Sequence, residues 1–163
     1  MGWMSNWDYA TVVPTKRWRS AMTLPRKLEL KKTPVGYRIL SAPVKELEAL
    51  RTGKYQLDKT AITGRLDLTG KMGFSPTLCE IDLEFEVPEN GAGTFGIEVS
   101  NHRNERYRTG FDVARNAFFS DREKAGDASF SEKFLTGIHY IPRLSTDKTL
   151  RLHLFLDAAS AEL

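Results

Sequence analysis

The sequence predicts an all-β protein: an antiparallel β-sandwich preceded by a strand pair and one short linker helix. Three observations support this prediction. Apolar and polar residues alternate with period two in most segments, which is typical of strands that bury one side and expose the other. Turn-forming residues separate these segments at short, regular intervals. Only residues 43–51 place apolar residues at helical spacing.

The N-terminal segment concentrates aromatic residues. Trp3, Trp7, Tyr9 and Trp18 lie within residues 3–18 and include all three tryptophans of the chain. An isolated strand pair cannot bury so much aromatic surface. The aromatic side chains therefore pack either against the sandwich or against a domain that this sequence does not contain.

A strand pair and a helix come next. The basic residues 26–27 and 31–32 are separated by Leu28, Glu29 and Leu30, so a solvated strand face explains them better than a phosphate-binding patch. Further along, Val44, Leu47 and Leu50 recur at three-residue intervals, and Pro43 suits a first helical position. We predict one short helix over residues 43–51, a little longer than two turns.

The remaining chain reads as the strands of the sandwich. Residues 62–68 are the first predicted strand, and residues 78–87 are the clearest one. Cys79 and the alternate apolar residues of the second strand face one way, while Glu80, Asp82, Glu84 and Glu86 face the other. A solvated face explains these acids better than a cation site, because a cation site needs ligands from several segments. A single cysteine excludes an intrachain disulfide, and its apolar setting predicts a buried, inert thiol.

Turns and four more segments complete the predicted sandwich. Turns are predicted at residues 88–91 and 101–104, and a polar loop at 121–129. Strands are predicted at residues 94–99, 107–113, 116–120 and 149–156. The last strand has four leucines on one face, whereas Arg151, His153 and Phe155 lie on the other. We therefore expect another element to cover Phe155.

Composition excludes several classes of function. The net charge is +3 and the charges of both signs are interspersed, which argues against nucleic-acid binding. The sequence contains no run of 18 apolar residues, which a membrane-spanning helix would need. The first residues lack the features of a signal peptide. His102, His139 and His153 lack metal-ligand spacing, and we expect no cofactor or metal.

Several motifs resemble glycoside hydrolase family 32, which contains levanases, inulinases and invertases. Four stretches near the start of the chain resemble the closing propeller segment of that family. They are W-M-S-N-W-D-Y at residues 3–9, P-T at 14–15, W-R-S at 18–20 and M-T-L-P-R at 22–26. Weaker similarities follow in the family's order. They comprise the linker helix at residues 43–51, Asp121-Arg122 with Gly126, and Leu156-Asp157 with Ser160 and Glu162, where Ala159 and Ala161 replace the family's usual Ser and Val.

The resemblance implies a domain organisation. Family members carry a five-bladed β-propeller followed by a concanavalin-like, jelly-roll β-sandwich. We therefore expect residues 1–36 to be a terminal, orphan propeller strand segment, residues 37–54 a linker with the short helix, and residues 55–163 the sandwich, truncated at its end. Strand 149–156 would then lie at or near an open edge, and open apolar edges recruit other chains.

The resemblance also implies which residues carry out catalysis and which contact the substrate. The three catalytic acids of the family precede the W-M-S-N-W segment, and none of their motifs occurs here, so we expect no catalytic residues and no hydrolysis by this chain. Trp7, then Trp3 and Asn6, are the expected substrate contacts of the intact enzyme. Propeller packing is the alternative, and it is favoured for Trp3. For Arg19 and Arg26, ion pairs at strand ends are favoured over ligand clamps.

Two functions are compatible with these expectations. The favoured one is the C-terminal part of a β-fructosidase whose sandwich buttresses the catalytic propeller and forms a dimer contact. The alternative is a fructan-binding module, for which Phe118, Phe119 and Tyr140 are the only candidate contacts. The expected partners are a fructan or sucrose-type carbohydrate, the catalytic propeller and a second copy of the chain, with no nucleic acid and no membrane. The resemblance favours a secreted or periplasmic location.

Overall fold

A computed structural model describes residues 1–17, 19–88, 91–158 and 160–163. Trp18, the centre of the predicted turn at Glu89 and Asn90, and Ala159 lie outside the described residues. The strands are β1 Arg26–Thr33, β2 Gly36–Pro43, β3 Leu78–Glu86, β4 Thr94–Ser100, β5 Arg106–Asp112, β6 Ala117–Lys124, β7 His139–Pro142, β8 Thr149–Asp157 and β9 Ser160–Glu162. The helices are a 3₁₀ linker helix Lys45–Leu50, α1 Leu68–Met72 and a 3₁₀ turn Glu132–Phe134.

The strands form a hairpin and two antiparallel sheets. β1 pairs with β2, one sheet has the order β3-β8-β9, and the other has the order β4-β5-β6-β7. The all-β prediction and the antiparallel sandwich are thereby confirmed. No helix in the described part of the chain is both long and apolar enough to cross a membrane.

The sandwich core follows from the predicted alternation. β3 and β8 pair in a register that places the apolar residues of both strands on one face, for example Ile81 opposite Leu154 and Leu83 opposite Leu152. Leu150, Leu152 and Leu154 are buried. A row of phenylalanine rings joins the two sheets, with centroid distances of 5.1 Å, 5.8 Å and 5.4 Å along the series Phe85, Phe95, Phe111, Phe118.

The first and second strands of the four-stranded sheet approach each other unusually closely. Gly96 of β4 lies opposite Gly110 of β5. A Cβ added at Gly96 would lie 2.1 Å from the carbonyl oxygen of Thr109, and one at Gly110 would lie 2.0 Å from that of Phe95. Only glycine fits at either position, because no real Cβ tolerates such a distance from backbone atoms.

The hairpin has two different faces. Leu28, Leu30, Tyr37 and Ile39 share one face, because Leu30 lies opposite Ile39 in the register of the pair, and all four are exposed. The opposite face carries mainly charged residues, namely Lys27, Glu29, Lys31 and Arg38. The expected solvated strand face is present for Lys27 and Lys31, whereas Arg26 and Lys32 lie on the reverse face, beside the exposed apolar residues.

The structure corrects the predicted strand at residues 62–68. This segment forms no strand, and Asp67 instead begins α1 by accepting a hydrogen bond from the Gly70 amide at 3.0 Å. A carboxylate that accepts from the first-turn amides favours a helix over an extended strand. Gly73, in the left-handed conformation, ends the helix.

Other boundaries also differ from those predicted. β6 continues to Lys124, so the loop predicted at 121–129 begins later, and the short strands β7 and β9 were not predicted. Pro43 ends β2, and the predicted helix is a 3₁₀ helix that begins at Lys45. β8 pairs with β3 along its whole length but with β9 only from Phe155 to Asp157. Among the described residues, no strand pairs with residues 149–154 on that second side.

Candidate functional site

The three predicted sugar contacts lie together on a turn-rich segment at the start of the chain. The rings of Trp3 and Trp7 are neighbours, with centroids 4.9 Å apart and planes inclined by 57°. Trp7 is 86% exposed, whereas Trp3 is 37% exposed. An exposed indole offers an apolar face and a polar N–H at once. This pair can therefore contact a ligand that has both apolar and hydroxyl-bearing surfaces.

Asn6 shapes the turn that presents Trp7. Its side-chain oxygen accepts a hydrogen bond from the Asp8 amide at 2.9 Å, and its carbonyl accepts from the amides of Tyr9 and Ala10 at 3.2 Å and 2.8 Å. This is the arrangement by which asparagine stabilises a turn. Asn6 therefore has a structural role beside any contact with a ligand.

The start of the segment pairs with residues just before the hairpin. Trp3 and Met22 form an isolated antiparallel bridge. On either side of it, the Met4 amide donates to the Ala21 carbonyl at 2.9 Å, and the Thr23 amide donates to the Gly2 carbonyl at 2.8 Å. The position of Trp3 therefore depends on the position of residues 21–23.

The sandwich holds the end of the segment through the tyrosine anchor, formed by Tyr9, Phe130, Phe134 and Arg122. Tyr9 is 8% exposed and meets Phe134 edge-on at 5.4 Å and Phe130 at 6.1 Å. The Arg122 guanidinium lies 4.2 Å from the Phe134 ring centroid and donates to the Phe134 carbonyl at 3.0 Å. Edge-to-face aromatic and cation–π contacts of this kind add stability beyond the buried area.

A second contact with the sandwich, the glutamate anchor, joins Glu162 to Leu24 and Arg26. Oε1 of Glu162 accepts a hydrogen bond from the Leu24 amide at 2.7 Å, and Oε2 lies 3.4 Å from the Arg26 guanidinium. The Arg26 guanidinium also donates to the Ser41 hydroxyl at 2.9 Å. The ion pair expected for Arg26 is thus confirmed. Arg19 donates to the Thr11 carbonyl, and no carboxylate among the described residues pairs with it.

The linker helix rests on the outer face of β3 and β8. Arg51 forms two hydrogen bonds with Glu80, at 2.6 Å and 2.7 Å, and His153 lies 2.7 Å from the same carboxylate. These bonds, with that of Arg51 the strongest, hold the pKa of Glu80 below its usual range. Phe155 lines a shallow cavity of about 140 Å³ beneath the linker, together with Val44 and Leu47. The expectation that another element covers Phe155 is confirmed.

The remaining candidates have structural neighbours. Phe118 lies edge-on to Phe111 in the core, and Tyr140 is contacted by the Arg115 guanidinium 5.0 Å from its ring centroid. Three of the outer acids of β3, namely Glu80, Asp82 and Glu86, pair with basic residues, as Asp82 does with Arg151 at 2.6 Å. Within the described residues, no three His, Cys, Asp or Glu side chains cluster as a metal site would require.

Sequence reasoning did not identify the two anchors. Tyr9, Arg122 and Glu162 all lie within the quoted motifs, where they served to recognise a resemblance and were assigned no role. Their presence in the motifs was the only sign in the sequence that these three residues have a role. The contact between residues 24 and 162 is too distant in sequence for local patterns to indicate.

Comparison with known proteins assigns both parts of the chain to one family. The family model described as Glycosyl hydrolases family 32 C terminal matches residues 46–163, and the one described as Glycosyl hydrolases family 32 N-terminal domain matches residues 1–43. The chain is 37% identical over 163 residues to a levanase of Bacillus subtilis (strain 168), covering 99% of this chain and 24% of the levanase. It is 32% identical over 166 residues to an extracellular exo-inulinase of Aspergillus niger, covering 99% of this chain and 30% of that protein.

A solved structure has the same fold. The crystal structure of exo-inulinase from Aspergillus awamori matches with a TM-score of 0.75 and 28% identity, covering 98% of this chain and 31% of that one. The chain thus spans between about a quarter and a third of the relatives described here. Its two matched regions meet at the linker helix, and the anchors join residues of one region to residues of the other. The chain belongs to glycosyl hydrolase family 32.

Proposed function

We propose that this chain is the C-terminal part of a β-fructosidase, in which the sandwich buttresses the catalytic propeller. One observation carries the proposal. Residues of the sandwich hold the segment that matches the family's N-terminal domain on both sides of the Trp3–Trp7 pair, through the tyrosine anchor and the glutamate anchor. Support of this kind places aromatic side chains for ligand contact without supplying a reactive group.

Within this proposal, Trp7 is the main substrate contact of the intact enzyme, with Trp3 and Asn6 beside it. The large exposed surface of Trp7 leaves an indole face free for a sugar ring, whereas Trp3 supports it from the side. The levanase and exo-inulinase relatives are named for fructans, which makes a fructan the first substrate class to test.

The domain division is part of the same proposal. Residues 1–36 are the closing propeller segment, residues 37–54 the linker and residues 55–163 the sandwich. The first boundary falls inside the β1–β2 hairpin, so the linker begins with the second strand of that hairpin. Limited proteolysis tests the second boundary, since cleavage of native protein should occur first near residues 52–66, where no helix or strand is present.

The first experiment is a hydrolysis assay with the purified chain on levan, inulin and sucrose. We expect no release of fructose, because a retaining glycosidase needs two carboxylates about 5 Å apart across the scissile bond. In this family these acids precede the residues present here. A full-length family levanase assayed in parallel is the positive control, and clear turnover by the 163-residue chain would contradict the proposal.

A second candidate function, a fructan-binding module, is favoured by one observation. Tyr140 lies on the outer face of the four-stranded sheet and is partly exposed, with the Arg115 guanidinium beside it. Isothermal titration calorimetry with levan oligosaccharides separates the two functions. The buttress predicts no measurable binding by the isolated chain. Binding that Tyr140→Ala abolishes and Trp7→Ala leaves intact would favour the module instead.

A further inference from the structure

The carboxylate of Glu162 makes the contact that crosses the longest stretch of sequence described here. Its hydrogen bond with the Leu24 amide joins residues 138 positions apart. The side chain of Glu162 is only 12% exposed, and that of Arg26 only 18%. An amide that is shielded from water needs an acceptor, and a carboxylate is a stronger acceptor than a neutral group. Glu162 therefore supplies the hydrogen-bond acceptor that the Leu24 amide, just before β1, needs.

We propose that Glu162 is a positioning residue, which sets the place of the Trp3–Trp7 pair by fixing the backbone at Leu24. The role rests on the proposed sugar contact at that pair. Glu162 touches neither tryptophan in the described structure, so it acts through the chain between them.

The route from Glu162 to the tryptophans is short. Leu24 directly follows residues 21–23, which pair with residues 2–4 and so hold Trp3 opposite Met22. Trp3 in turn contacts the ring of Trp7. Beyond Trp7, Tyr9 is fixed by the tyrosine anchor. With Glu162 in place, both ends of residues 3–9 are tied to the sandwich. Without it, the Leu24 amide loses its acceptor, and the end near Leu24 keeps only the longer bond from the Arg26 guanidinium to the Leu163 carbonyl, at 3.3 Å.

Removing this carboxylate should leave the sandwich itself intact. β9 joins β8 through the backbone, with Ala161 opposite Leu156 and Ser160 opposite Asp157. The core consists of phenylalanine and leucine side chains from β3, β4, β5, β6 and β8. A change confined to the Glu162 side chain therefore separates the position of the N-terminal segment from the stability of the fold.

The test is hydrogen exchange of backbone amides in the 163-residue chain, without sugar, for the wild type, Glu162→Ala and Glu162→Gln. Glu162→Ala should speed exchange at Leu24 by about tenfold, as loss of one charge-assisted hydrogen bond implies. The amides of Met4 and Thr23 should also exchange faster, while those of β3 and β8 stay unchanged. Glu162→Gln keeps an oxygen acceptor and should restore most of the protection at Leu24.

Glu84→Ala is the matched control. Glu84 is an exposed strand carboxylate on β3, and its loss should leave exchange at Leu24, Met4 and Thr23 at the wild-type rate. Unchanged exchange at Leu24 in Glu162→Ala overturns the positioning role. So does faster exchange spread evenly through β3 and β8, since that result indicates a general loss of stability.

Tryptophan fluorescence gives an independent readout. All three tryptophans lie within residues 3–18, so quenching by acrylamide reports on this segment alone. Quenching should increase in Glu162→Ala and return towards the wild-type value in Glu162→Gln. Neither measurement involves sugar, so failure of the proposed contact at Trp7 would leave both unchanged. Quenching that is identical in all variants would contradict the inference.

Discussion

At the scale of single residues, the pair Gly96 and Gly110 shows how a missing side chain determines packing. The two glycines face each other across β4 and β5, where backbone atoms occupy the space that a Cβ would need. Their neighbours Phe95 and Phe111 belong to the row of rings that joins the sheets. The close approach of the strands therefore lies directly beside the core.

We expect Gly96→Ala to lower the free energy of unfolding by about 2 kcal/mol, since overpacking against backbone atoms forces the strands apart. Urea denaturation followed by circular dichroism measures the change. Gly53→Ala is the control, because nothing lies within 4 Å of a Cβ added there, and it should stay within about 0.5 kcal/mol of the wild type. Equal stability of the two variants would contradict the close approach.

At the scale of elements, the linker helix depends on charge to stay on the sheet. Its end is fixed by Arg51, which shares the Glu80 carboxylate with His153. Arg51 holds the pKa of Glu80 below its usual range, so the ionised form is favoured in the folded chain. The neighbouring Asp82, bonded to Arg151, has a lowered pKa for the same reason.

A carboxyl group with a depressed folded pKa stabilises the protein above its unfolded pKa, and this stabilisation is lost as the pH falls through the folded value. We therefore expect the stability of the wild type to fall as the pH drops below about 4.5. Glu80→Gln should be less stable at pH 7 and should lose less on acidification. Part of the pH dependence of stability should remain in Glu80→Gln, because Asp82 also has a lowered pKa in the folded chain. Thermal unfolding measured from pH 7 to pH 3 tests this, and parallel profiles would refute it.

Local patterns predicted some elements well and others poorly. β3 and β8 were predicted because each turns its apolar residues to one face and most of its polar residues to the other, which produces a clear alternation over nine residues. β7 escaped prediction because it is a four-residue edge strand that is exposed throughout and ends in Pro142. The apolar residues of 62–68 suggested a strand, but Asp67 begins a helix there. Alternation cannot reveal whether a segment has a strand to pair with.

The candidate site likewise contains some residues that could be predicted from the sequence and others that could not. Trp3, Asn6 and Trp7 could be named from the sequence because they lie together in one motif. The tyrosine anchor and the glutamate anchor could not, since each joins segments more than a hundred residues apart. The sequence identified the residues that we propose as ligand contacts, and the structure was needed to find what holds them.

At the scale of the whole molecule, one apolar face of the hairpin is exposed. Leu28, Leu30, Tyr37 and Ile39 form a continuous surface on β1 and β2. Hydrophobic surface of this kind marks a site of contact with another protein. We propose that the catalytic propeller covers it in the intact enzyme, and that a second copy covers it when this chain is alone.

The 163-residue chain should therefore self-associate as its concentration rises. Light scattering coupled to size-exclusion chromatography measures the mass. The double variant Leu30→Lys, Ile39→Lys should stay monomeric, because lysine on this face removes the apolar contact. The control Arg38→Glu, on the charged face, should associate like the wild type. A wild type that is monomeric at every concentration would refute the proposal.

The hydrogen bond between Leu24 and Glu162 also bears on the order of events during synthesis. Leu24 leaves the ribosome 138 residues before its partner. Domains generally fold as units while the chain emerges, with the N-terminal part first. The hairpin pairs only adjacent segments and can form early, yet the Trp3–Trp7 pair cannot reach its final place until β9 has been made. A nascent chain would thus gain this support for Trp3 and Trp7 only after Glu162 has been synthesised.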